Sequence, residues 1–210
     1  MENFSPAPES SIDNIPEAGE ITEPIEITVS FWKKPVVSFL LELIQTLILA
    51  AILYFMIDFV IARVRVENIS MKPTLQPGEF LLVNKMAYKL GEMKRGDIVI
   101  FHHTAEEDYI KRLIGLPGDL VEIRNKVVKV NEKVLDEPYI AALPSYNGKW
   151  VVPEGSIFVL GDNRNQSSDS HSWGFVPREK VIGKALAIYW PIENAQVLTH
   201  PDIVKASNNN

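Results

Sequence analysis

The stretch that decides the fold is "FMIDFVIARVRVENIS" (residues 55–70), in which the spacing of apolar residues changes abruptly. Upstream of Arg63 no Lys or Arg occurs as far back as Lys34, and residues 43–57 are uncharged. Downstream, apolar and polar residues alternate over residues 62–70, as they do in a half-buried strand. The stretch therefore predicts a long apolar helix followed directly by a β-rich domain.

The apolar run predicts a transmembrane helix over residues 37–61. A bilayer core requires about 20 apolar residues, and this run supplies them if Glu42 and Asp58 lie near the two interfaces. Its apolar residues occupy all sides of the helix, which favours a membrane span over a buried core helix. A cleaved signal sequence is disfavoured because the run follows an acidic tail and is longer than the usual apolar region of such sequences.

Charge alone does not orient this helix. Lys33 and Lys34 flank one end and Arg63 and Arg65 flank the other, so the positive-inside rule is balanced. Residues 1–32 contain seven acids and no Lys or Arg, with many Pro and Ser, which predicts a disordered tail. We also expect residues 206–210 to be frayed.

Composition excludes several classes of function. Without the tail's seven acids, the rest of the chain has 20 acids and 21 bases, and no basic cluster points to nucleic acid. The absence of cysteine excludes disulfides and thiolate nucleophiles. The histidines lack metal-ligand spacing, so no metal site is predicted; they are His102, His103, His171 and His200.

Beyond the apolar run the sequence predicts a mostly β domain of sandwich or barrel type. Glycine-containing turn signals such as Pro77-Gly78 and Pro117-Gly118 separate the predicted strands. These strands cover residues 79–83, 97–102, 109–115, 119–125, 126–130, 156–160 and 184–190. Residues 84–91 are the best candidate for a short helix, and residues 141–155 are interpreted as a long loop.

Ser70 ends the alternating segment and raises the question of what could activate it. A serine nucleophile needs a base within about 3 Å, yet no "GxSxG" elbow surrounds Ser70 and no histidine is evidently placed to serve. A buried lysine is an alternative, because desolvation lowers its pKa. Lys111 lies among apolar residues in "DYIKRLIGLPGD" (residues 108–119) and is the best candidate. From pattern alone, a strand lysine that extends its amine to solvent is the competing interpretation.

Four stretches in order resemble the boxes of the type I signal peptidases, the membrane-bound Ser/Lys endopeptidases of bacteria. They are "SMKPTL" (70–75), "RGDIVIF" (95–101), "YIKRLIGLPGD" (109–119) and "GDNRNQSSDS" (161–170). The resemblance spans about residues 36–191. It implies a β-rich catalytic core of coiled antiparallel sheets with one N-terminal transmembrane helix. Residues 161–170 could also be interpreted as a polar turn or a cation-binding loop. Both interpretations are disfavoured because the other three boxes occur in the same chain.

The resemblance also implies roles for individual residues. Ser70 matches the nucleophile, Lys111 the general base and Ser167 the serine that orients the lysine amine. The matches to supporting positions are Asp162, Arg164, Asp169 and Arg112. The matches to positions that form shallow substrate pockets are Val64, Val66, Met71, Leu75, Ile100, Tyr109 and Ile110. For each of these pocket residues, an ordinary core position is the alternative.

Three departures from the family pattern concern this site. Asn68 stands where many members have a serine that helps to hold the oxyanion, and its amide N–H could replace that hydroxyl if strand alternation places it on the face of Ser70. Asn165-Gln166 replaces the frequent Asp-Asn. His171 stands where an arginine is common, so the salt bridges of this loop remain open.

The resemblance implies an enzyme that removes signal peptides from exported preproteins, cutting after small residues at positions −3 and −1, without metal or organic cofactor. It places the chain as a single-pass monomer in the lipid bilayer of the bacterial plasma membrane. The tail would be cytoplasmic and a catalytic domain of residues 62–205 extracytoplasmic. Two alternatives are a self-cleaving Ser/Lys repressor and a catalytically dead, membrane-tethered β module that binds exported proteins.

Overall fold

The computed structural model describes residues 33–199 and Ile203. The predicted disordered tail and the predicted frayed end, residues 206–210, lie outside the described residues. The chain divides into two compact units, Met1–Ile48 and Leu49–Asn210. The described part of the first unit is the beginning of helix α1, and the second unit contains the end of that helix and all described strands.

Helix α1 covers Lys33–Val60, and its segment Pro35–Val60 is long and apolar enough to cross a membrane. Its apolar side chains are exposed all around, including Phe39 and Phe55 at 63% and 68%. Exposed apolar surface of this extent is typical of a helix whose surroundings are lipid. The helix ends at Val60, where the first strand begins.

Within residues 33–199, twelve strands follow, in two antiparallel sheets. In chain order they are β1 (Ile61–Arg65), β2 (Phe80–Asn84), β3 (Ile98–His102), β4 (Asp108–Gly115), β5 (Leu120–Arg124), β6 (Val127–Val130), β7 (Lys133–Val134), β8 (Gly148–Val151), β9 (Ser156–Leu160), β10 (Val176–Pro177), β11 (Val181–Trp190) and β12 (Gln196–Val197). Two short helices accompany them, α2 (Ala87–Leu90) and α3 (Ser170–Trp173). The predicted β-rich core with antiparallel sheets and one apolar N-terminal helix is confirmed.

The larger sheet carries the segments that matter for the site. Its strand order is β1-β2-β11-β3-β4-β9-β10, with β12 beside β11, and the smaller sheet has the order β7-β6-β5-β8. Strand β9 pairs with β4 only from Arg112 onward. Residues 108–111 of β4 therefore pair with β3 alone, and their other edge is open within the described part of the chain.

Alternation along the strands distributes the core over both faces of the larger sheet. One face carries a cluster that contains Val66, Leu81 and Ile100, and the other face carries Val99, Phe101 and Leu113. A third cluster joins the smaller sheet to β9 through residues such as Val121 and Phe158. The larger sheet is thus buried on both faces over much of its area.

Two expectations from the sequence were wrong. The strand predicted over residues 62–70 ends at Arg65, because Val66 then exchanges backbone hydrogen bonds with Glu79 and Gly78 and the chain enters a 3-10 helix, Ile69–Met71. The inference that Asn68 and Ser70 share one strand face therefore fails. The loop predicted over residues 141–155 contains β8, which pairs with β5 along its whole length.

Candidate active site

Ser70 lies in the 3-10 helix Ile69–Met71, immediately beyond the strand and its Val66 connection. The turn is anchored from below because Met71 is buried and its carbonyl accepts a hydrogen bond from the backbone of Leu75, which is also buried. It is held from the side by Asn163, whose backbone N–H donates to the carbonyl of Ser70 (3.0 Å) and whose side-chain amide donates to that of Ile69 (3.2 Å). The nucleophile candidate is therefore fixed by backbone contacts on two sides.

Lys111 projects from the open-edged part of β4 toward this turn. Its Nζ lies 2.8 Å from Oγ of Ser70 and donates a second hydrogen bond to the carbonyl of Ile110 (3.1 Å). The residue is only 4% exposed, and its amine lies 5.0 Å from the centre of the Tyr109 ring. The structure thus brings the two predicted catalytic residues within hydrogen-bond reach although 41 positions separate them.

Burial makes Lys111 a weaker base than an ordinary lysine. Desolvation is the largest influence and lowers its pKa from 10.5 to about 8, while the carboxylates of Asp169 and Asp162 oppose that shift. Desolvation disfavours the ammonium form because a buried charge loses its hydration. Near neutral pH the neutral form of Lys111, which a general base requires, is therefore far more populated than in an ordinary lysine.

A buried ion pair lies behind the dyad and, through its hydrogen bonds, joins all four sequence boxes. The guanidinium of Arg112 donates to both oxygens of Asp162, at 2.8 and 2.6 Å, and to the carbonyl of Gly96. Asp162 also accepts a hydrogen bond from the hydroxyl of Thr74 at 2.5 Å. The side chains of Arg112 and Asp162 are 3% and 0% exposed. This pair connects β4 to the segments that precede and follow the site.

The loop over residues 161–170 is held by two further carboxylates. Arg164 is fully buried and donates to Glu137 at 2.8 and 2.5 Å and to the carbonyl of Gly161. Asp169 is also fully buried and accepts from the backbone N–H groups of Gly161 (2.9 Å) and His171 (3.3 Å), and it lies 2.6 Å from Nδ1 of His171. Gly161 is thus held directly by Arg164 and Asp169, and Glu137 supports it only through Arg164.

Ser167 lies against Gly161, close to the nucleophile turn. A side chain at position 161 would collide with Ser167 and with the carbonyl of Ser70, so only glycine lets these two serines approach. The hydroxyl of Ser167 is buried and has no hydrogen-bond partner among the described residues. A buried unpaired hydroxyl is costly, and in a site it is available to a group that arrives or moves.

An open cleft of about 740 Å³ leads to the dyad. One wall is β1 with its continuation through Met71, and the other is the turn and start of β4 over residues 106–111. Gln166 and Ser168, from the loop over residues 161–170, also line the cleft. Because β1 is an edge strand and residues 108–111 are open on one side, both walls present unpaired backbone to the cleft.

Five of the seven predicted pocket residues line this cleft, namely Val64, Val66, Met71, Tyr109 and Ile110. The other two, Leu75 and Ile100, are fully buried and do not line it. They belong to the apolar cluster that also contains Val66 and Met71. Leu75 and Ile100 therefore belong to the buried layer beneath the cleft wall and pack in the same cluster as its side chains.

The three departures from the family pattern occupy defined places. Asn68 is exposed, lines the cleft, and makes no hydrogen bond among the described residues. Asn165 accepts from the backbone of Ser145 and donates to that of Leu143. His171 bonds Asp169 at 2.6 Å and its ring stacks on Tyr146 with centroids 3.8 Å apart. An imidazole here thus faces the buried carboxylate where an arginine was expected.

The adjacent histidines have contacts of their own. Nδ1 of His102 lies 2.6 Å from Asp108, and the ring of His103 stacks on Tyr109 with centroids 4.1 Å apart.

Sequence reasoning missed three residues that hold the site, namely Thr74, Asn163 and Glu137. Thr74 and Asn163 stand inside the quoted motifs, so their position was the available signal, whereas nothing local distinguishes Glu137.

Comparison with known proteins places these residues in a recognised context. The family model described as "Signal peptidase, peptidase S26" matches residues 40–190. A probable signal peptidase I-2 of Synechocystis sp. is 46% identical over 168 residues, 76% of this chain and 77% of that protein. A signal peptidase IB of Staphylococcus aureus (strain MRSA252) is 35% identical over 186 residues, 79% and 97% of the two chains. A crystal structure of a signal peptidase I from Enterococcus faecalis V583 is 35% identical, with a TM-score of 0.42, covering 44% of this chain and 96% of that one.

Proposed function

Because the chain belongs to the signal peptidase family, peptidase S26, and is a serine peptidase that removes signal peptides from preproteins, we propose that Ser70 is its nucleophile and Lys111 its general base. The observation that carries this assignment is the distance of 2.8 Å between Lys111 Nζ and Ser70 Oγ, both of which line the cleft. Among the described residues, no histidine forms a hydrogen bond with either group; His102 bonds Asp108 and His171 bonds Asp169.

The reaction begins with neutral Lys111. Its amine takes the proton of Ser70 as Oγ attacks the scissile carbonyl, and the ammonium then gives a proton to the departing amine. An ester between Ser70 and the signal peptide remains. Lys111 next takes a proton from water, whose oxygen attacks the ester carbonyl. The ammonium returns that proton to Ser70 Oγ as the ester bond breaks, and the released carboxyl group loses its own proton to solvent. With a pKa of about 8, about a tenth of Lys111 is neutral at pH 7.

The neighbouring polar groups have positioning roles in this proposal. Ser167 carries a buried hydroxyl without a partner, and it holds the Lys111 amine when that amine moves away from Ser70 during the reaction. Asn68 lines the cleft with an unengaged amide, and its N–H stabilises the oxyanion. Asp169 and Asp162 hold the loop and the strand that carry these groups, as their bonds to Gly161 and Arg112 indicate.

The substrate binds as an extended strand between the two open edges. Strands β1 and β4 run in the same direction, since three strands with antiparallel neighbours separate them, and both lead toward the dyad. A peptide parallel to them places its signal-peptide side in the cleft and its scissile bond at Ser70. Side chains −1 and −3 then face Val64, Val66 and Ile110, whose bulk leaves room for small residues.

The apolar helix and the relatives indicate a membrane-anchored enzyme. We place α1 across the lipid bilayer with its N-terminus in the cytoplasm and the catalytic domain on the outer side, where signal peptides emerge after export. Both dyad residues and both cleft walls come from one chain, which supports a monomer as the active form.

Cleavage of a preprotein by the full chain in detergent tests the assignment. Ser70→Ala and Lys111→Ala should each abolish cleavage while thermal unfolding stays cooperative. Matched controls are Ser145→Ala and Lys149→Ala, which alter exposed residues outside the cleft and should leave the rate unchanged. Retained cleavage by either dyad variant would overturn the assignment.

A further inference from the structure

Two arginines of the cleft wall have no part in the chemistry proposed above. Arg63 and Arg65 are exposed residues of β1, alternate with Val64 along that strand, and line the cleft. In the part of the chain that the structure describes, neither arginine forms an ion pair; the guanidinium of Arg65 lies 5.9 Å from the centre of the Phe80 ring. Their charges are therefore available to a peptide in the cleft.

The register of the sheet puts these arginines on the same face as Lys111. Directly paired residues of neighbouring strands project from one face of a sheet. A continuous row of such pairs connects Lys111 with Val99, Lys184, Asn84 and Ile61. Arg63 and Arg65 follow Ile61 by two and four residues and so project from its face. Val64 and Ile110 project from the opposite, apolar face, as their shared cluster indicates.

A substrate strand between β1 and β4 would alternate between these two faces. If residues −1 and −3 face the apolar side, as the proposed function requires, residues −2 and −4 face the arginines. Counting back from the dyad along both walls, −2 lies between Arg65 and Tyr109. Position −4 lies between Arg63 and Glu107, which precedes β4 by one residue.

The charges around these two positions differ. Across from Arg65 stands Tyr109, an aromatic ring without a carboxylate, and the acid on the same wall, Glu67, lies beyond the end of the strand on the side of the dyad. Arg63 faces Glu107, which is exposed and held in its turn by hydrogen bonds from its own backbone to Thr104 and from His103. Two more acids line the cleft. Asp108 projects from the face of Ile110 and lies 2.6 Å from Nδ1 of His102, and Glu106 lies farther from the dyad than Glu107. On the face of Arg65, position −2 thus meets a positive side chain with no acid across from it, whereas at −4 a base and an acid oppose each other.

We propose that Arg65 is a specificity-determining residue that makes the enzyme favour an acidic side chain, and disfavour a basic one, at substrate position −2. Position −4 is indifferent to charge because Arg63 and Glu107 offset each other. The preferred substrate is therefore a preprotein whose two small residues, −3 and −1, flank an acidic or neutral polar residue. The inference rests on the proposed function and adds −2 as a third substrate position whose side chain the enzyme discriminates.

Peptides of one sequence test this, with Ala at −3 and −1 and Asp, Gln or Lys at −2 or, separately, at −4. The full chain in neutral detergent should cleave the −2 Asp peptide with a kcat/KM about three- to tenfold higher than the −2 Lys peptide at low salt. The −4 series should vary less than about twofold. Because both charges are exposed, 0.5 M NaCl should reduce the preference at −2.

Three variants locate the effect. Arg65→Gln should remove the preference at −2, Glu107→Gln should create a preference for Asp at −4 by leaving Arg63 unopposed, and Arg124→Gln, the same change on an exposed residue of β5, should alter neither. Equal cleavage of the −2 series by the unaltered enzyme, or a preference that persists in Arg65→Gln, would overturn the inference. Failure to cleave any Ala-x-Ala peptide, or cleavage by Ser70→Ala, would overturn the proposed function instead.

Discussion

The backbone N–H of Asn163 donates a hydrogen bond of 3.0 Å to the carbonyl oxygen of Ser70. This bond joins the nucleophile turn to a loop that begins 91 residues later with Gly161. The position of Ser70 therefore depends on the packing of that loop as much as on its own strand. Disturbing the loop should impair the reaction without changing a reacting group.

Gly161 offers the most direct disturbance. In Gly161→Ala the new methyl group would lie 2.5 Å from the carbonyl oxygen of Ser70, so the turn must move. Since displacements of about 1 Å can cost about 100-fold in rate, we expect kcat to fall at least tenfold. Gly91→Ala, remote from the site and close only to the carbonyl of Ala87, is the control and should keep its kcat.

The Arg112–Asp162 pair should contribute to stability through burial. Asp162→Ala would leave the guanidinium of Arg112 buried without its carboxylate, and we expect the free energy of unfolding to fall by about 3–5 kcal/mol. Asp108→Ala breaks the exposed pair with His102 and should cost less than about 1 kcal/mol. Urea unfolding in detergent measures the loss of unfolding free energy for both variants. Equal losses would contradict the claim that burial makes the Arg112–Asp162 pair the larger contribution.

Ser167 should matter for rate and not for stability. Its hydroxyl is buried without a partner among the described residues, so Ser167→Ala removes an unpaired polar group and should not lower the unfolding temperature. We expect kcat to fall at least tenfold because the Lys111 amine loses the hydroxyl that holds it when it moves away from Ser70. By contrast, Ser170→Ala removes the acceptor of the buried Val159 N–H and should lower the unfolding temperature. A Ser167→Ala enzyme with full kcat would refute the positioning role.

Asn68, like Ser167, should affect the rate of cleavage and not the stability of the fold. Because its side chain is exposed and unbonded, Asn68→Ala should not affect unfolding, but loss of an oxyanion donor should lower kcat by about 100- to 1,000-fold. KM should change little, since the donor acts on the transition state. Asn68→Ser, which keeps a donor, should recover part of the rate. An unchanged kcat in Asn68→Ala would exclude the side chain from the oxyanion hole.

Much of the fold could be predicted from local pattern. The apolar run and the alternating segments gave α1, β2, β3, β4 and β9 nearly at their observed bounds, because each is long enough to show its period and ends at a turn signal. Strand β8 escaped notice, since Asn147-Gly148 and Pro153 near it are typical of a loop. Its pairing with β5 is a tertiary contact that overrides those signals.

The site was predictable to the extent that it is carried by ordered motifs. Ser70 and Lys111 were predicted as a pair because local pattern and the family boxes both mark them, and the structure brings them together. Alternation misled at Asn68, where the chain leaves the sheet after Val66. Pattern also cannot tell a pocket wall from the layer beneath it, as Leu75 demonstrates. The pairing of Arg164 with Glu137 connects residues without any shared local signal, so only the folded structure reveals it.

The claim that Lys111 acts as the base through its lowered pKa admits a direct measurement. The chain contains no cysteine, so Lys111→Cys can be alkylated selectively with 2-bromoethylamine, which rebuilds the side chain with a sulfur in place of one methylene and makes its amine more acidic. With Lys111, kcat/KM should rise with pH through about 8, because only the neutral amine is active.

The pH dependence of kcat/KM in the alkylated enzyme therefore tests the account most directly. Unmodified Lys111→Cys should be inactive, and alkylation should restore cleavage with the rising limb displaced to a lower pH than in the unaltered enzyme. A rising limb at the same pH in both enzymes, or cleavage by the unmodified cysteine variant, would contradict the assignment of Lys111 as the general base.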